Sequence, residues 1–323
     1  VGNTVTIHYL NQTVCCNSGE TVLDALLRQG QKLSFSCRNG ICHTCLLQCS
    51  AGSPGAEAQK SLSPDLVTKG YFLPCKCRPA DDLHIAPAQL EDLYTQAVVH
   101  SKQWLCDSVM KLLLQPQSNL MYQGGQFLNI LHPGGCVRSY SIAGNFLEDP
   151  YLELHIKHHP QGTLSHWLCN SVKVGDTLSI QGPQGRCCYH KRLRPKNLLL
   201  IANGTGLAPL QGIIRDALAE GHRGNIYLYH GSRQASGLYH RDYFKQLQQE
   251  HSNLFYQACV SGNNTSAPEL HQGRADSTAF ANHPDLTDWA VFICGLPVMV
   301  SNAAVTAARL GAAQDDIFSE GFD

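Results

Sequence analysis

Four cysteines constrain this chain more than any other feature. Cys37, Cys42 and Cys45 stand at C-x4-C-x2-C spacing in Cys37-Arg-Asn-Gly-Ile-Cys-His-Thr-Cys45, and Cys75 follows in Leu73-Pro-Cys-Lys-Cys-Arg-Pro79. Thiolates bunched this closely serve a metal or a cluster better than a core. The surrounding chain must therefore fold back and aim several sulfurs at one centre. The spacing is that of [2Fe–2S] ligands. Zinc sites more often use two C-x2-C pairs, and only one such pair stands here. Zinc and unligated thiols remain the alternatives. Cys49 and Cys77 lie close enough to compete as fourth ligand, and Cys75 is preferred because x-x-x-Pro follows it.

Composition removes several classes of function. The 323 residues allow two or three domains. Lys and Arg (24) balance Asp and Glu (25), so there is no polyanion-binding footprint and no nucleic-acid partner is expected. No apolar run reaches membrane-spanning length, and Val1–Thr4 carries no charged-then-apolar leader. The expectation is a cytoplasmic monomer. Fifteen cysteines is an odd number in a large chain, and eleven share no spacing, which fits reduced thiols better than a disulfide framework. Cys15-Cys16 and Cys187-Cys188 are neighbours that point to opposite faces of strands and need no special function.

The first segment reads as a hairpin, Thr4–Leu10 and Gln12–Cys16, then a helix over Glu20–Gln29 that stops at Gly30. Gly40 falls between the first two candidate ligands, where backbone must pass close to inorganic sulfur. Ser36 to Cys45 together with Leu73 to Pro79 resembles a plant-type ferredoxin domain of the β-grasp kind, an α+β fold. That resemblance implies a [2Fe–2S] cluster held by Cys37, Cys42, Cys45 and Cys75 in a domain spanning 1–90. His43 departs from the family, which most often has Gly there; it reads as an exposed loop histidine, with tuning of potential or partner contact as the alternative.

A linker at Pro87–Asp92 leads to short strand-like runs at Ser108–Leu114, Gln126–Leu131, Tyr151–Lys157 and Thr177–Gln181, a pattern for a small antiparallel barrel. Arg138-Ser139-Tyr140-Ser141 offers a cationic fork, a flat ring and hydroxyls. Gly162-Thr163-Leu164-Ser165 opens a short helix whose free N–H groups suit a pyrophosphate. Gly125-Gln126-Phe127 and Gly182–Gly185 complete the set. In this order they resemble the FAD domain of the ferredoxin–NADP reductase family, spanning 98–193. The resemblance puts Tyr140 on the flavin, Ser141 at its N5 region and Arg138 on the pyrophosphate, with Gly162–Ser165 as a second phosphate contact. His155, His158 and His159 fall on a strand that alternates faces and read as a solvated edge rather than a metal site.

Beyond 194, apolar runs alternate with helical stretches, the pattern of a doubly wound parallel sheet. Asn197–Ala202 runs straight into Gly204-Thr205-Gly206 and a helix, a strand–glycine turn–helix phosphate site. Cys294-Gly295-Leu-Pro297 closes a later strand at the edge where such sheets bind ligands. Both motifs resemble the nicotinamide side of the same reductases, in a domain spanning 194–323. The resemblance sets Cys294 beside the nicotinamide as a positioning group, and Phe322, with the acidic Glu320 two positions before it, over the flavin; Phe318 is the other candidate aromatic. Arg233, after the second strand, is the available cation for a 2′-phosphate, yet relatives of this domain order with a Gly-(Ala/Ser)-Arg step commonly use NADH, so the resemblance implies NADH over NADPH.

The domain order resembles the reductase components of bacterial multicomponent oxygenases and of deoxysugar dehydration. It implies an NADH-dependent iron–sulfur flavoprotein oxidoreductase that serves a terminal acceptor protein, an oxygenase or dehydrase component. A nicotinamide releases two electrons together and a [2Fe–2S] centre accepts one, so a flavin must stand between them. Arg38, His43, Lys76 and Arg78 are expected to rim the exit for an acidic partner. No 2-His-1-carboxylate set and no Rieske His pair stands at a persuasive spacing, so the acceptor chemistry belongs elsewhere. The rival readings are a flavin or quinone reductase acting on small acceptors and a redox or metal sensor without turnover.

Overall fold

The computed structural model describes residues 5–262 and 269–322; Val1–Thr4, where the hairpin was expected to begin and a leader was judged lacking, and Asp323 lie outside them. Three sheets follow one another along the chain.

The first contains β1 (Val5–Tyr9), β2 (Gln12–Cys16), β3 (Leu47–Ala51), β4 (Tyr71–Phe72) and β5 (Leu83–Pro87) in the order β2-β1-β5-β3-β4. Alternation explains the hairpin: Ile7, Tyr9, Val14 and Cys16 are buried while their neighbours in sequence face outward. Helix α1 (Val22–Arg28) starts where the Thr21 side chain accepts from the Asp24 amide at 3.1 Å, and it buries Val22, Leu23, Ala25 and Leu26. Leu23 packs in one cluster with Cys45, Leu46, Leu73 and Cys75, which seats the cysteine loop on this helix. Two short helices, α2 (Pro64–Thr68) and α3 (Leu90–Leu93), complete the segment. The expected linker over 87–92 thus holds the end of β5 and most of α3.

The second sheet comprises β6 (Thr95–Cys106), β7 (Val109–Pro116), β8 (Phe127–Leu131), β9 (Val137–Ser141), β10 (Leu152–Lys157) and β11 (Thr177–Gln184), ordered β10-β7-β6-β11-β8-β9. An antiparallel bridge between Ile142 and Leu154 links the end of β9 to β10 and closes the order into a barrel. Helix α4 (Thr163–Asn170) follows β10. Strand β6 escaped the sequence reading because His100, Ser101 and Lys102 break its apolar alternation.

The third sheet is parallel where its pairings are recorded: β12 (Leu198–Asn203), β13 (Ile226–Ser232), β14 (Leu254–Val260), β15 (His271–Gln272), β16 (Ala290–Gly295) and β17 (Ile317–Gly321), in the order β15-β14-β13-β12-β16-β17. The central strands β12 and β16 are buried on both faces, which accounts for their unbroken apolar runs. Helices α5 (Leu207–Ala219) and α6 (Arg241–Glu250) pack on one face, and α7 (Ala275–Asn282) and α8 (Pro297–Arg309) on the other.

Two compact units result. One gathers the residues up to Thr95 with Asn129–Ser139 and Ser179–Gln184; the other gathers Gln96–Leu128, Tyr140–Leu178 and the chain from Gly185 onward.

Candidate cluster and cofactor sites

The cysteine loop turns on three left-handed residues, Arg38 (φ 52°), Gly40 (φ 76°) and His43 (φ 55°). Two non-glycine residues in that region are costly, and the cost is retained because the loop must curl its amides inward. The amides of Asn39 and Cys42 point at Cys37 Sγ at 3.3 and 3.4 Å. A Cβ on Gly40 would lie 2.8 Å from Lys76 Cγ, so glycine fits both the turn and the space.

The four predicted thiols meet as two pairs. Cys37 and Cys42 share a hydrogen bond that, with backbone amides, lowers Cys37 to about 5 and raises Cys42. Cys45 and Cys75 share another, which lowers Cys75 and raises Cys45, the latter pushed further by burial. Each pair thus gives up its first proton readily and shares the second, which a bound metal would displace. A zinc tetrathiolate would bring all four sulfurs to about 3.8 Å from one another, given Zn–S bonds near 2.3 Å. Among the described residues, no three of these sulfurs lie mutually within 4.8 Å. Two separated pairs fit two irons, each taking one pair, better than a single ion. Cys77 is fully buried and pushed up to about 12 by burial, and Cys49 packs at the rim of that same core, apart from the four.

His43 is half-buried rather than exposed: its Nε2 lies 3.0 Å from Ser61 Oγ, and burial lowers its pKa. Phe35 (38% exposed) and Ile41 (43%) leave apolar surface beside the loop. Arg38 pairs with Asp24 at 2.7 Å, and Arg78 donates to the Gly19 carbonyl at 3.1 Å.

A residue that sequence reasoning missed supports this loop. Asn129, on β8, is fully buried; its amide donates to the Cys42 carbonyl at 2.7 Å and to Gln181 Oε1 at 2.8 Å, and its Oδ1 accepts from Ser139 Oγ at 2.7 Å. Gln184, with its amide nitrogen turned to the loop, also donates to the Cys42 carbonyl at 2.6 Å. Only a buried Asn in an otherwise apolar strand could have drawn attention to the position.

Strand β9 carries the Arg138–Ser141 motif. Arg138 is exposed with Nη1 on the Val137 carbonyl at 2.8 Å, Tyr140 is half-buried and Ser141 is buried. Gly162 precedes α4 with no side-chain cap; Thr163 is exposed, while Leu164 and Ser165 are buried. A Cβ on Gly162 would stand 2.7 Å from Ser165 Oγ, so the backbone there stays bare; the Gly162 amide itself donates to the His159 carbonyl at 2.9 Å.

The glycine turn meets the Cys294 strand end directly: a Cβ on Gly206 would lie 2.1 Å from the Cys294 carbonyl. Gly204 takes φ 55°. Cys294 is fully buried, its Sγ 4.0 Å from Cys187 Sγ, and Gly295 follows at φ 146°. A cleft at the carboxyl ends of β12 and β13 is lined by Asn203, Ser232, Arg274 and Asp276 among others. Arg233 is exposed just past β13, while Arg274, which sequence reasoning passed over, borders the cleft and pairs with Asp276 at 2.9 Å.

The chain end is a strand. β17 pairs with β16, setting Glu320 opposite Cys294 and Gly321 opposite Gly295. Phe318 stacks on Phe292 with centroids 4.7 Å apart, which commits it to packing, and the Phe322 amide donates to the Gly295 carbonyl at 2.8 Å. Glu320 Oε2 is buried without a partner, and desolvation lifts the carboxyl to about 8. An orphaned buried carboxyl oxygen beside bare glycine backbone fits a site built around a polar ring system.

His155 corrects one expectation: it is buried, not on a solvated edge, and it meets His240 and Glu153 instead of its neighbours His158 and His159. Among the described residues, no helix is long and apolar enough to cross a membrane.

Paired thiols, an anion-ready barrel and a dinucleotide crevice together define an iron–sulfur flavoprotein oxidoreductase. Family models agree in chain order: a 2Fe-2S iron–sulfur cluster binding domain matches residues 5–80, an oxidoreductase FAD-binding domain 96–189 and an oxidoreductase NAD-binding domain 200–304. The chain is 33% identical to the reductase subunit of an aromatic O-demethylase from an Amycolatopsis species, over 89% of each chain. It is 29% identical to the phenol hydroxylase P5 protein of Acinetobacter pittii, over 98% of this chain and 94% of that one. A crystal structure of an Amycolatopsis cytochrome P-450 reductase superposes with TM-score 0.71 at 29% identity, over 99% of each. The chain belongs to the ferredoxin–NAD(P)H reductase family of electron-transfer proteins with an N-terminal [2Fe–2S] ferredoxin domain. Its cofactors are a [2Fe–2S] cluster, FAD and a nicotinamide dinucleotide, and it is an NAD(P)H-dependent electron-transfer oxidoreductase.

Proposed function

We propose that the chain supplies electrons from NADH to the oxygenase component of an aromatic-compound oxygenase system. The observation that carries this is the likeness, over nearly the whole chain, to reductase components of aromatic oxygenase systems; within the chain, the hydrogen-bonded run from Ser139 through Asn129 to the Cys42 carbonyl ties a predicted flavin strand to a predicted cluster ligand. When bound, the flavin accepts an electron pair from the nicotinamide and releases it singly to the cluster.

The chain's own residues prepare that traffic. Cys37, Cys42, Cys45 and Cys75 hold the cluster, and the Asn39 and Cys42 amides aimed at Cys37 Sγ stabilise negative charge there. Arg138, and separately Gly162 to Ser165 at the start of α4, would contact phosphate, while Tyr140 and Ser141 would contact the flavin. Gly204, Thr205 and Gly206 would admit the dinucleotide backbone, with Cys294 and Gly295 positioning the nicotinamide. Glu320, neutral below about pH 8, can hold a proton at its buried Oε2, and Phe322 would cover the flavin. Ferredoxin-type, flavin-binding and nicotinamide-binding domains over 1–90, 98–193 and 194–323 follow from this division of labour. Arg38, Lys76 and Arg78, with the exposed Phe35 and Ile41 of the same loop region, would form the exit face and would suit an acidic patch on the oxygenase. A cytoplasmic, reducing setting accords with the odd count of fifteen cysteines, most without shared spacing.

The NADH preference is tested by steady-state reduction of ferricyanide with each dinucleotide. A kcat/KM ratio of about tenfold or more for NADH over NADPH, near 1.4 kcal/mol, is expected; a ratio favouring NADPH overturns the preference.

A further inference from the structure

One cluster of metal-ligating side chains stands apart from the iron–sulfur loop. Glu153 and His155 lie two residues apart on β10 and so share a face. His240 immediately precedes α6 with a left-handed backbone, φ 57°. One ligand atom from each of these three residues lies within 4.8 Å of the others. His155 Nε2 sits 2.8 Å from Glu153 Oε1, while its Nδ1 lies 3.1 Å from Tyr239 Oη. That second contact is the outer-shell hydrogen bond that orients a metal-binding imidazole. Gln211 donates to Glu153 Oε1 at 3.0 Å and steadies the carboxylate.

The cluster is not self-sufficient. His240 Nε2 is buried without a hydrogen-bond partner, as is the Oε1 of Gln211, the residue that braces Glu153. Buried polar atoms of this kind call for water or an ion. Burial also holds His240 well below its ordinary value, at about 4, so its ring is neutral and free to coordinate.

We propose that Glu153, His155 and His240 form a binding site for a zinc-like divalent cation, separate from the [2Fe–2S] centre. Two imidazoles and a carboxylate are a frequent zinc donor set, and a water completes four-coordination. Lys111 pairs with His155 across β10 and β7 and adds positive charge. That charge disfavours hard cations held by carboxylate attraction and leaves imidazole coordination as the source of affinity. The ion would clamp β10 to the start of α6.

The test uses the holoenzyme with FAD and cluster loaded. It is stripped over a chelating resin, given zinc sulfate and desalted; zinc, iron and flavin are then counted, and the zinc-edge X-ray absorption is recorded. About one zinc per chain with only nitrogen and oxygen neighbours is expected, falling below roughly a tenth in Glu153→Gln and His240→Ala at unchanged iron and flavin. Zinc absent from the wild type, equal zinc in the variants, or zinc with sulfur neighbours overturns the proposal. Should His240→Ala fail to fold, Glu153→Gln, which keeps the side-chain volume, and the wild-type absorption edge decide the matter.

Discussion

Replacing Asn129 with Leu tests how the cysteine loop is held. The substitution keeps the branched outline of the side chain, though it is bulkier, and deletes three hydrogen bonds at once, two donated to Cys42 O and Gln181 Oε1 and one accepted from Ser139 Oγ. A typical buried hydrogen bond contributes about 1 kcal/mol net, and an orphaned buried partner costs about 1–3 kcal/mol. The Cys42 carbonyl retains Gln184 at 2.6 Å and is not orphaned. Gln181 loses its donor with its side chain largely buried, and the Ser139 hydroxyl can rotate towards water. Three bonds and one orphaned partner come to about 4–6 kcal/mol, and the partners that the Cys42 carbonyl and the Ser139 hydroxyl retain set the loss at about 4 kcal/mol. Urea unfolding followed by loss of cluster colour should show a midpoint about 1.3 M lower, for an m-value near 3 kcal/mol/M. Cluster reduction by NADH should slow while NADH–ferricyanide turnover through the flavin holds. A variant with the wild-type midpoint and wild-type cluster reduction would refute the bracing role of Asn129.

Cys45→Ser should abolish electron delivery to a protein acceptor and spare ferricyanide reduction through the flavin, measured side by side. Gly206→Ala drives a Cβ to 2.1 Å from the Cys294 carbonyl, so KM for NADH should rise at least about tenfold, or 1.4 kcal/mol, with iron content unchanged. Glu320 has a folded pKa raised by burial to about 8, so folding binds a proton that the unfolded chain releases near its ordinary carboxylate value. Wild-type stability is therefore lost as pH rises toward 8, and Glu320→Gln, neutral throughout, should gain about 2–3 kcal/mol relative to wild type between pH 6 and 8 and level off above, by urea titration at each pH. Reversing charge at Arg38 and Arg78 should weaken acceptor reduction and flatten its salt dependence; unchanged salt dependence would remove the basic exit face.

The domain order and most elements were legible because each carries a local signal. Thiol spacing, the strand–glycine–helix step at Gly204 and the unbroken apolar runs of β12 and β16 are all short-range patterns. What escaped depended on contacts between distant positions. The strand character of β17 went unread, because its pairing with β16 joins Glu320 to Cys294 across 26 positions. Asn129 gave no sign of its role, since its partners Cys42, Gln181 and Ser139 lie on three other stretches. The same holds for Glu153 and His155 with His240: reading histidines by their neighbours in sequence grouped His155 with His158 and His159, whereas folding groups it with a residue 85 positions on. The candidate cysteine ligands were easier to group because three of the four share one loop.

The central claim is that electrons enter at the nicotinamide crevice and leave through the Cys37–Cys75 cluster by way of the flavin. Anaerobic mixing of the holoenzyme with one equivalent of NADH, followed by visible absorbance and freeze-quenched electron paramagnetic resonance, tests it directly. Flavin bleaching followed by a reduced [2Fe–2S] signal is predicted, with the second event absent in Cys45→Ser. A wild-type flavin that NADH fully bleaches while the cluster stays oxidised would contradict the account.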